Sequence, residues 1–149
     1  MRFTVDANVL FTFFWEDSVF SSICQKQVLG LFSPEFALGE LRKHSLEIMK
    51  KARLSTEEFT DRKKKLALRV TFIPLEKYAI FLKQAASKIK KGLSNEEYVK
   101  LMKDIDFLAL ALRLHCPLWS NDKMLMKQGS ILVLNTQEII ELVSADSGF

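Results

Sequence analysis

Short apolar runs alternate with longer stretches of helical periodicity along the whole chain. Residues 2–5 are β-prone and stop at Asp6, and the Asp6-Ala7-Asn8 turn leads into an apolar, aromatic helix over residues 9–15. Asp17 or Ser18 caps a further helix reaching residue 29. Residues 30–33 form a second strand, and Ser33-Pro34 is a good N-cap and first-turn pair for the next helix. That helix carries Leu38, Leu41, Ile48, Met49 and Ala52 close to helical spacing, with Glu40 beside the stripe. Ser55 with Glu58, and Ser94 with Glu97, have the form of capping boxes; the first opens a helix ending near Arg69, the second a helix leading to Asp104. Between them lie a strand over residues 70–73, closed by Pro74, and a helix over residues 75–89. The most informative stretch runs from Asp104 to Asp122: an Ala- and Leu-rich helix, a stop at Pro117, and a buried strand over residues 118–120. A helical turn over residues 123–127, a break at Gly129, a strand over 131–134 and a helix over 136–143 follow, and the tail, 144–149, is expected to fray.

Strands alternating with helices predict an α/β fold: a three-layer α/β/α sandwich on a mostly parallel central sheet of about five strands, as one domain over residues 1–149. Right-handed crossovers bring the strand carboxyl ends to one edge, where open α/β sheets keep their chemistry. Asp6 and Asp122 end two of those strands. Composition narrows the class further. A hydrophobic fraction of 48% argues against disorder. No apolar run is long enough to span a bilayer, and the first such run contains Asp6, unlike a secretory signal. Cys24 and Cys116 lie far apart, form no disulfide or zinc pattern, and read as small apolar residues of a reduced, cytoplasmic protein. The net charge of +4 favours polyanionic partners without naming one.

Asp6, Glu40, Asp104 and Asp122 then form one candidate cluster. Each has a commoner explanation alone: Asp6 a turn or cap, Glu40 a solvated helix residue, Asp104 an N-cap in competition with Asp106, Asp122 a turn residue. Carboxylates gathered together repel, and take up protons unless a cation neutralises them. Hard Mg²⁺ or Mn²⁺ is suited to such oxygen ligands and to in-line phosphodiester hydrolysis. The two histidines, His44 and His115, lack zinc-motif spacing.

On these residues the chain resembles the PIN-domain nucleases. Val5-Asp6-Ala7-Asn8-Val9-Leu10 is similar to the family's opening Asp-x-Asn-hydrophobic motif, and Glu40-Leu41-Arg42 to its Glu-Leu pair. Asp104 with the apolar helix after it, then Pro117 through Lys123, resembles the third and fourth acidic motifs, the last being the strongest match. The resemblance implies a small domain whose Asp6, Glu40, Asp104 and Asp122 bind Mg²⁺ or Mn²⁺ and cleave single-stranded RNA. It implies support by hydrogen bonds from Asn8, Ser120 and Asn121, and the role of a type II toxin with an antitoxin partner, commonly dimeric. A housekeeping RNA-processing nuclease, or an RNA-binding module with weak catalysis, are the alternatives. Asp106, two residues from Asp104, competes for its place, and spacing to Asp122 favours Asp104.

Arg42, Lys43 and Lys123 are candidate RNA contacts, Lys123 being either a phosphate ligand or a cation that weakens metal binding. Lys83 to Lys91 read as plain solvated surface. Phe11, Phe13, Phe14 and Trp15 are unusually dense; most belong to the core, and some suit a patch for a second copy or a partner helix. Phe20 and Phe32 are assigned to the core.

Overall fold

The structure, a computed structural model, describes residues 1–26 and 29–146. The β-prone runs become five strands: β1 (Arg2–Val5), β2 (Gly30–Pro34), β3 (Thr71–Ile73), β4 (Leu118–Trp119) and β5 (Val133–Leu134). They pair in the order β3-β2-β1-β4-β5, each pair parallel. The chain walks outward from β1 to β2 and β3, then returns to lay β4 on the other side of β1. The strand order therefore reverses between β1 and β4, and the crevice outside the carboxyl ends at such a reversal is where open sheets bind ligands. Right-handed crossovers in opposite directions put the helices of the two halves on opposite faces. Accordingly Phe3, Thr4 and Val5 are all buried, although they alternate between the faces of β1.

The first half carries α1 (Ala7–Phe11), α2 (Val19–Lys26), α3 (Phe36–Lys43), α4 (Ser45–Ala52) and α5 (Thr56–Arg69). The second carries α6 (Leu82–Ile89), α7 (Asn95–Met102), α8 (Ile105–Leu114), α9 (Lys123–Lys127) and α10 (Thr136–Asp146). Both capping boxes form as expected: Ser55 opens α5 and Ser94 opens α7, each with its reciprocal Glu bond. Helix α8, buried at Phe107, Leu108, Ala109, Leu110 and Ala111, packs against β1, β2 and β4. It ends with His115 left-handed at φ 53°, just before Pro117.

Several elements differ from expectation. Ser33-Pro34 lies in β2 and caps nothing: the Ser33 hydroxyl is buried and donates to the Val5 carbonyl at 2.9 Å, tying β2 to the end of β1. The expected long helix after it is two helices, α3 and α4, broken at His44 (φ −101°, ψ 12°), and Leu38 is exposed. The helix expected over residues 9–15 is α1 followed by a 3₁₀ turn, Thr12–Phe14, where the Thr12 hydroxyl donates to the Val9 carbonyl. Residues 75–89 are two 3₁₀ turns, Leu75–Lys77 and Ala79–Phe81, and then α6; Tyr78 between the turns is drawn inward and adopts a non-helical ψ of 0°. Ser18, not Asp17, caps α2, accepting from the Ser21 amide at 3.0 Å. The expected extension of that helix includes residues 27 and 28, which lie outside the described residues. Of the tail, residues 144–146 are helical in α10, and 147–149 lie outside the described residues.

The core is aromatic around β4. Trp119 is fully buried between Phe3 and Phe20, with ring centroids 6.3 and 5.1 Å away and edge-on geometry. Phe13 and Phe14 are buried, and Phe14 stacks on Phe59 at 4.8 Å. Phe32 is only half-buried, at the core's margin, with the Arg2 guanidinium over its ring. Cys24 is buried, which pushes its thiol up to about 12, and Cys116 lies 3.4 Å from the Thr4 hydroxyl. No helix among the described residues is long and apolar enough to cross a membrane.

Candidate active site

Asp6 follows β1, and its amide donates to the Trp119 carbonyl at 3.0 Å, so the sheet ladder itself fixes its backbone. It stands at the N-cap position of α1 but makes no capping bond. Its Oδ2 instead accepts from the Ser120 hydroxyl at 2.7 Å. Asp6 is 4% exposed. Burial raises its carboxyl above the usual range, with a smaller contribution from the Asp122 charge; the bonds from Ser120 and the Ala7 backbone pull it back.

Ser120 serves two acids at once. While its hydroxyl donates to Asp6, the same oxygen accepts the Asp122 amide at 3.1 Å. One fully buried side chain therefore ties the end of β1 to the loop after β4. Asp122 caps α9, its Oδ1 accepting from the Met124 amide at 2.8 Å. That bond fixes the orientation of the carboxylate and occupies one of its oxygens. Asn121 faces the other way. Its side chain donates to the Thr136 hydroxyl and accepts the Thr136 amide, both at 2.9 Å, which secures the loop to α10.

Asp104 occupies the N-cap position of α8 without forming a capping bond, so its carboxylate is not used by the helix. Its carboxyl is pushed up to about 6, first by burial, then by the charges of Asp6 and Asp122, with a lesser push from Glu40; Lys103 opposes them. The charges acting on Asp104 therefore come from Asp6 and Asp122 and, least, from Glu40. Asp106 is engaged elsewhere: it accepts from the Tyr78 hydroxyl at 2.5 Å, and that carboxylate together with burial raises the Tyr78 phenol. Glu40 is half-buried on α3, with His44 Nε2 at 3.8 Å one turn away. Asn8 is exposed, and its side chain has no hydrogen-bond partner among the described residues.

Three residues that shape this site were not singled out in the sequence. Tyr78 holds Asp106, Lys103 is the cation acting on Asp104, and His44 meets Glu40. Lys103 and His44 were detectable in principle, by adjacency and by helical i, i+4 spacing. Tyr78 was not, because its contact spans 28 residues. Arg42, Lys43 and Lys123 are exposed and form no ion pair among the described residues.

Among the described residues, no three Asp, Glu, His or Cys side chains are gathered tightly enough to ligate one ion together. A hard cation that keeps several waters needs only one or two direct carboxylates. The donor set fits such an ion: all oxygen, half-desolvated, with a surplus of negative charge opposed by a single lysine at Asp104. It does not fit zinc, which prefers His and Cys.

Residues 4–143 match the PIN domain family. In fold the chain is similar to one in the crystal structure of VapBC2 from Rickettsia felis bound to a DNA fragment from their promoter, with a TM-score of 0.63 at 13% identity, covering 91% of this chain and 98% of that one. No curated protein matches. PIN domains are generally nucleases. The family match spans both aspartate-bearing strand ends and nearly every element of the sheet, and on it the chain belongs to the PIN domain family.

Proposed function

We propose that this chain is a metal-dependent endoribonuclease hydrolysing phosphodiester bonds in single-stranded RNA, acting in the cytoplasm as the toxin of a type II toxin–antitoxin pair. One observation carries the reading. Asp6, Glu40, Asp104 and Asp122 come from four separate segments at the reversal of the sheet, and burial first, then the charges of Asp6 and Asp122, pushes the Asp104 carboxyl up to about 6. Asp6, Asp104 and Asp122, with Glu40 beside them, are the residues that would hold Mg²⁺ or Mn²⁺. Bound there, the ion supplies Lewis-acid stabilisation of phosphoryl charge and a more acidic water. The protein's own part is orientation. Ser120 holds Asp6 against Asp122's loop, α9 fixes Asp122, and Tyr78 keeps Asp106 turned aside. Exposed Arg42, Lys43 and Lys123 supply cations for an RNA backbone.

The antitoxin partner and a homodimer are part of the same reading; the likeness to a chain of VapBC2 supports the partner. Light scattering with and without a co-expressed antitoxin tests both. The chemistry is tested by Mn²⁺-dependent cleavage of single-stranded RNA. Asp6→Asn and Asp122→Asn should each abolish it, and wild-type-like activity in either purified variant counts heavily against the proposal.

A second reading, a PIN-fold RNA-binding module with weak catalysis, is favoured by the looseness of the acids, no three of which converge among the described residues. Tight RNA binding without Mn²⁺ binding in a calorimetric titration would select it.

A further inference from the structure

We propose that a groove beside the acids is a nucleobase subsite selective for guanine, with Trp15 as its stacking surface and Glu16 and Asp17 as acceptors for the base's N–H edge; this rests on the single-stranded RNA reading of the acid site. The groove has a volume of about 570 Å³, within the usual range of small-molecule pockets. Asn121 lines it, and the flanking residues Ser120 and Asp122 belong to the acid site. Val9, three residues after Asp6, lines it as well, so two of the segments that carry the acids also border the groove, and a nucleotide with its phosphate at the acids can reach it with its base.

The lining suits a base. Val9 and Phe20 give it an apolar floor. Thr12 and Asn121 spend their hydrogen bonds within the protein, on the Val9 carbonyl and on Thr136, so the wall is set before any ligand arrives. Trp15 is half-buried and, among the described residues, has neither a ring partner nor a hydrogen bond to its indole nitrogen. The contrast with Trp119 is direct, since that indole has two ring neighbours and donates to Thr136. Trp15 packs against the core and borders the groove, and an aromatic in that position is the kind of surface on which single-stranded RNA bases stack.

Glu16 and Asp17 decide which base. Both line the groove, both are exposed, and neither has a hydrogen bond or ion pair among the described residues. Carboxylates there repel phosphate and accept N–H groups. Guanine presents two adjacent donors on its Watson–Crick edge, matching the two oxygens of a carboxylate, whereas adenine, cytosine and uracil each present a donor beside an acceptor. An acceptor-only rim therefore favours guanine.

Cleavage of a random-sequence single-stranded RNA by the full chain in Mn²⁺, with every cut mapped, tests this. Guanine should be enriched at one fixed position beside the cut. Trp15→Ala should lower cleavage roughly tenfold or more and erase the enrichment, with Trp15→Phe restoring most of both. Glu16→Gln with Asp17→Asn should flatten the preference for guanine among the cuts that are made. An unchanged base profile in these variants overturns the subsite and leaves the nuclease standing. If the wild type does not cut RNA, the nuclease reading fails, and quenching of Trp15 fluorescence by guanosine against uridine, assigned with Trp15→Phe, still decides the subsite. Quenching by guanosine alone supports it; equal or absent quenching, or quenching only by an arginine amide, overturns it.

Discussion

At the scale of single residues the site depends on which oxygen each side chain has left to offer. Ser120 makes the clearest case. Ser120→Ala removes a bond to Asp6 and the acceptor for the Asp122 amide, so Asp6 should rise further above the usual carboxylate range. Supporting bonds of this kind are worth about 10- to 100-fold in metal affinity, and Mn²⁺ titration calorimetry should show a weakening of that order. Asp104 and Asp106 separate in the same assay. Asp104→Asn should lose Mn²⁺ binding and RNA cleavage, and Asp106→Asn should keep both, because Tyr78 already occupies Asp106. Asp6 and Asp122 were proposed from strand ends, and Asp104 from its spacing to Asp122; that its N-cap bond goes unmade shows only in the structure. Ser120 was legible through the motif that carries Asp122. Asn121 shared that motif yet turns to Thr136, since neighbouring residues in an extended loop point in opposite directions. Tyr78 was invisible, because no local pattern marks a partner so distant in the chain.

At the scale of elements, the sheet was legible and the breaks in helices were not. A parallel sheet with its strand ends on one edge follows from alternating runs and crossover handedness, and capping boxes mark helix starts, which is why α5 and α7 begin where expected; the strand order itself shows only in the structure. Breaks arise from contacts that periodicity does not contain. Ser33 caps no helix because its hydroxyl reaches across to Val5, and the stripe over α3 and α4 ran on through His44 because the apolar spacing does not change there. Gln128 is a further example: a polar residue buried to 3% exposure after α9. Its amide nitrogen donates to the Leu125 and Ile131 carbonyls, and its oxygen accepts the Ser130 and Ile131 amides. That single side chain closes the connection between α9 and β5, and so holds the helix that Asp122 caps. Gln128→Leu should cost about 3 kcal/mol in urea unfolding, since buried groups left without partners cost about 1–3 kcal/mol each.

At the scale of the whole molecule, the acids set the pH dependence of stability. Asp104 titrates near 6 when folded, against an ordinary value of 3.8, and burial moves Asp6 in the same direction. Between roughly pH 4 and 6 the folded chain holds a proton that the unfolded chain has released, so stability falls as pH rises through that window. Without metal, the chain should melt at a higher temperature at pH 5 than at pH 7.5. Asp104→Asn should flatten that difference. Glu97, held down to about 2 first by Lys127, acts in the opposite sense but only below about pH 4.5. Saturating Mn²⁺ at pH 7.5 should restore the lost stability, by about 2.7 kcal/mol at a hundredfold excess over Kd.

The most direct measurement is anomalous diffraction from crystals grown with Mn²⁺. An anomalous peak in contact with Asp6, Asp104 or Asp122, with Glu40 beside it, is the expected result. A saturated crystal with no peak in that crevice, or with manganese bound only elsewhere, would contradict the assignment of these acids as a metal-dependent catalytic centre.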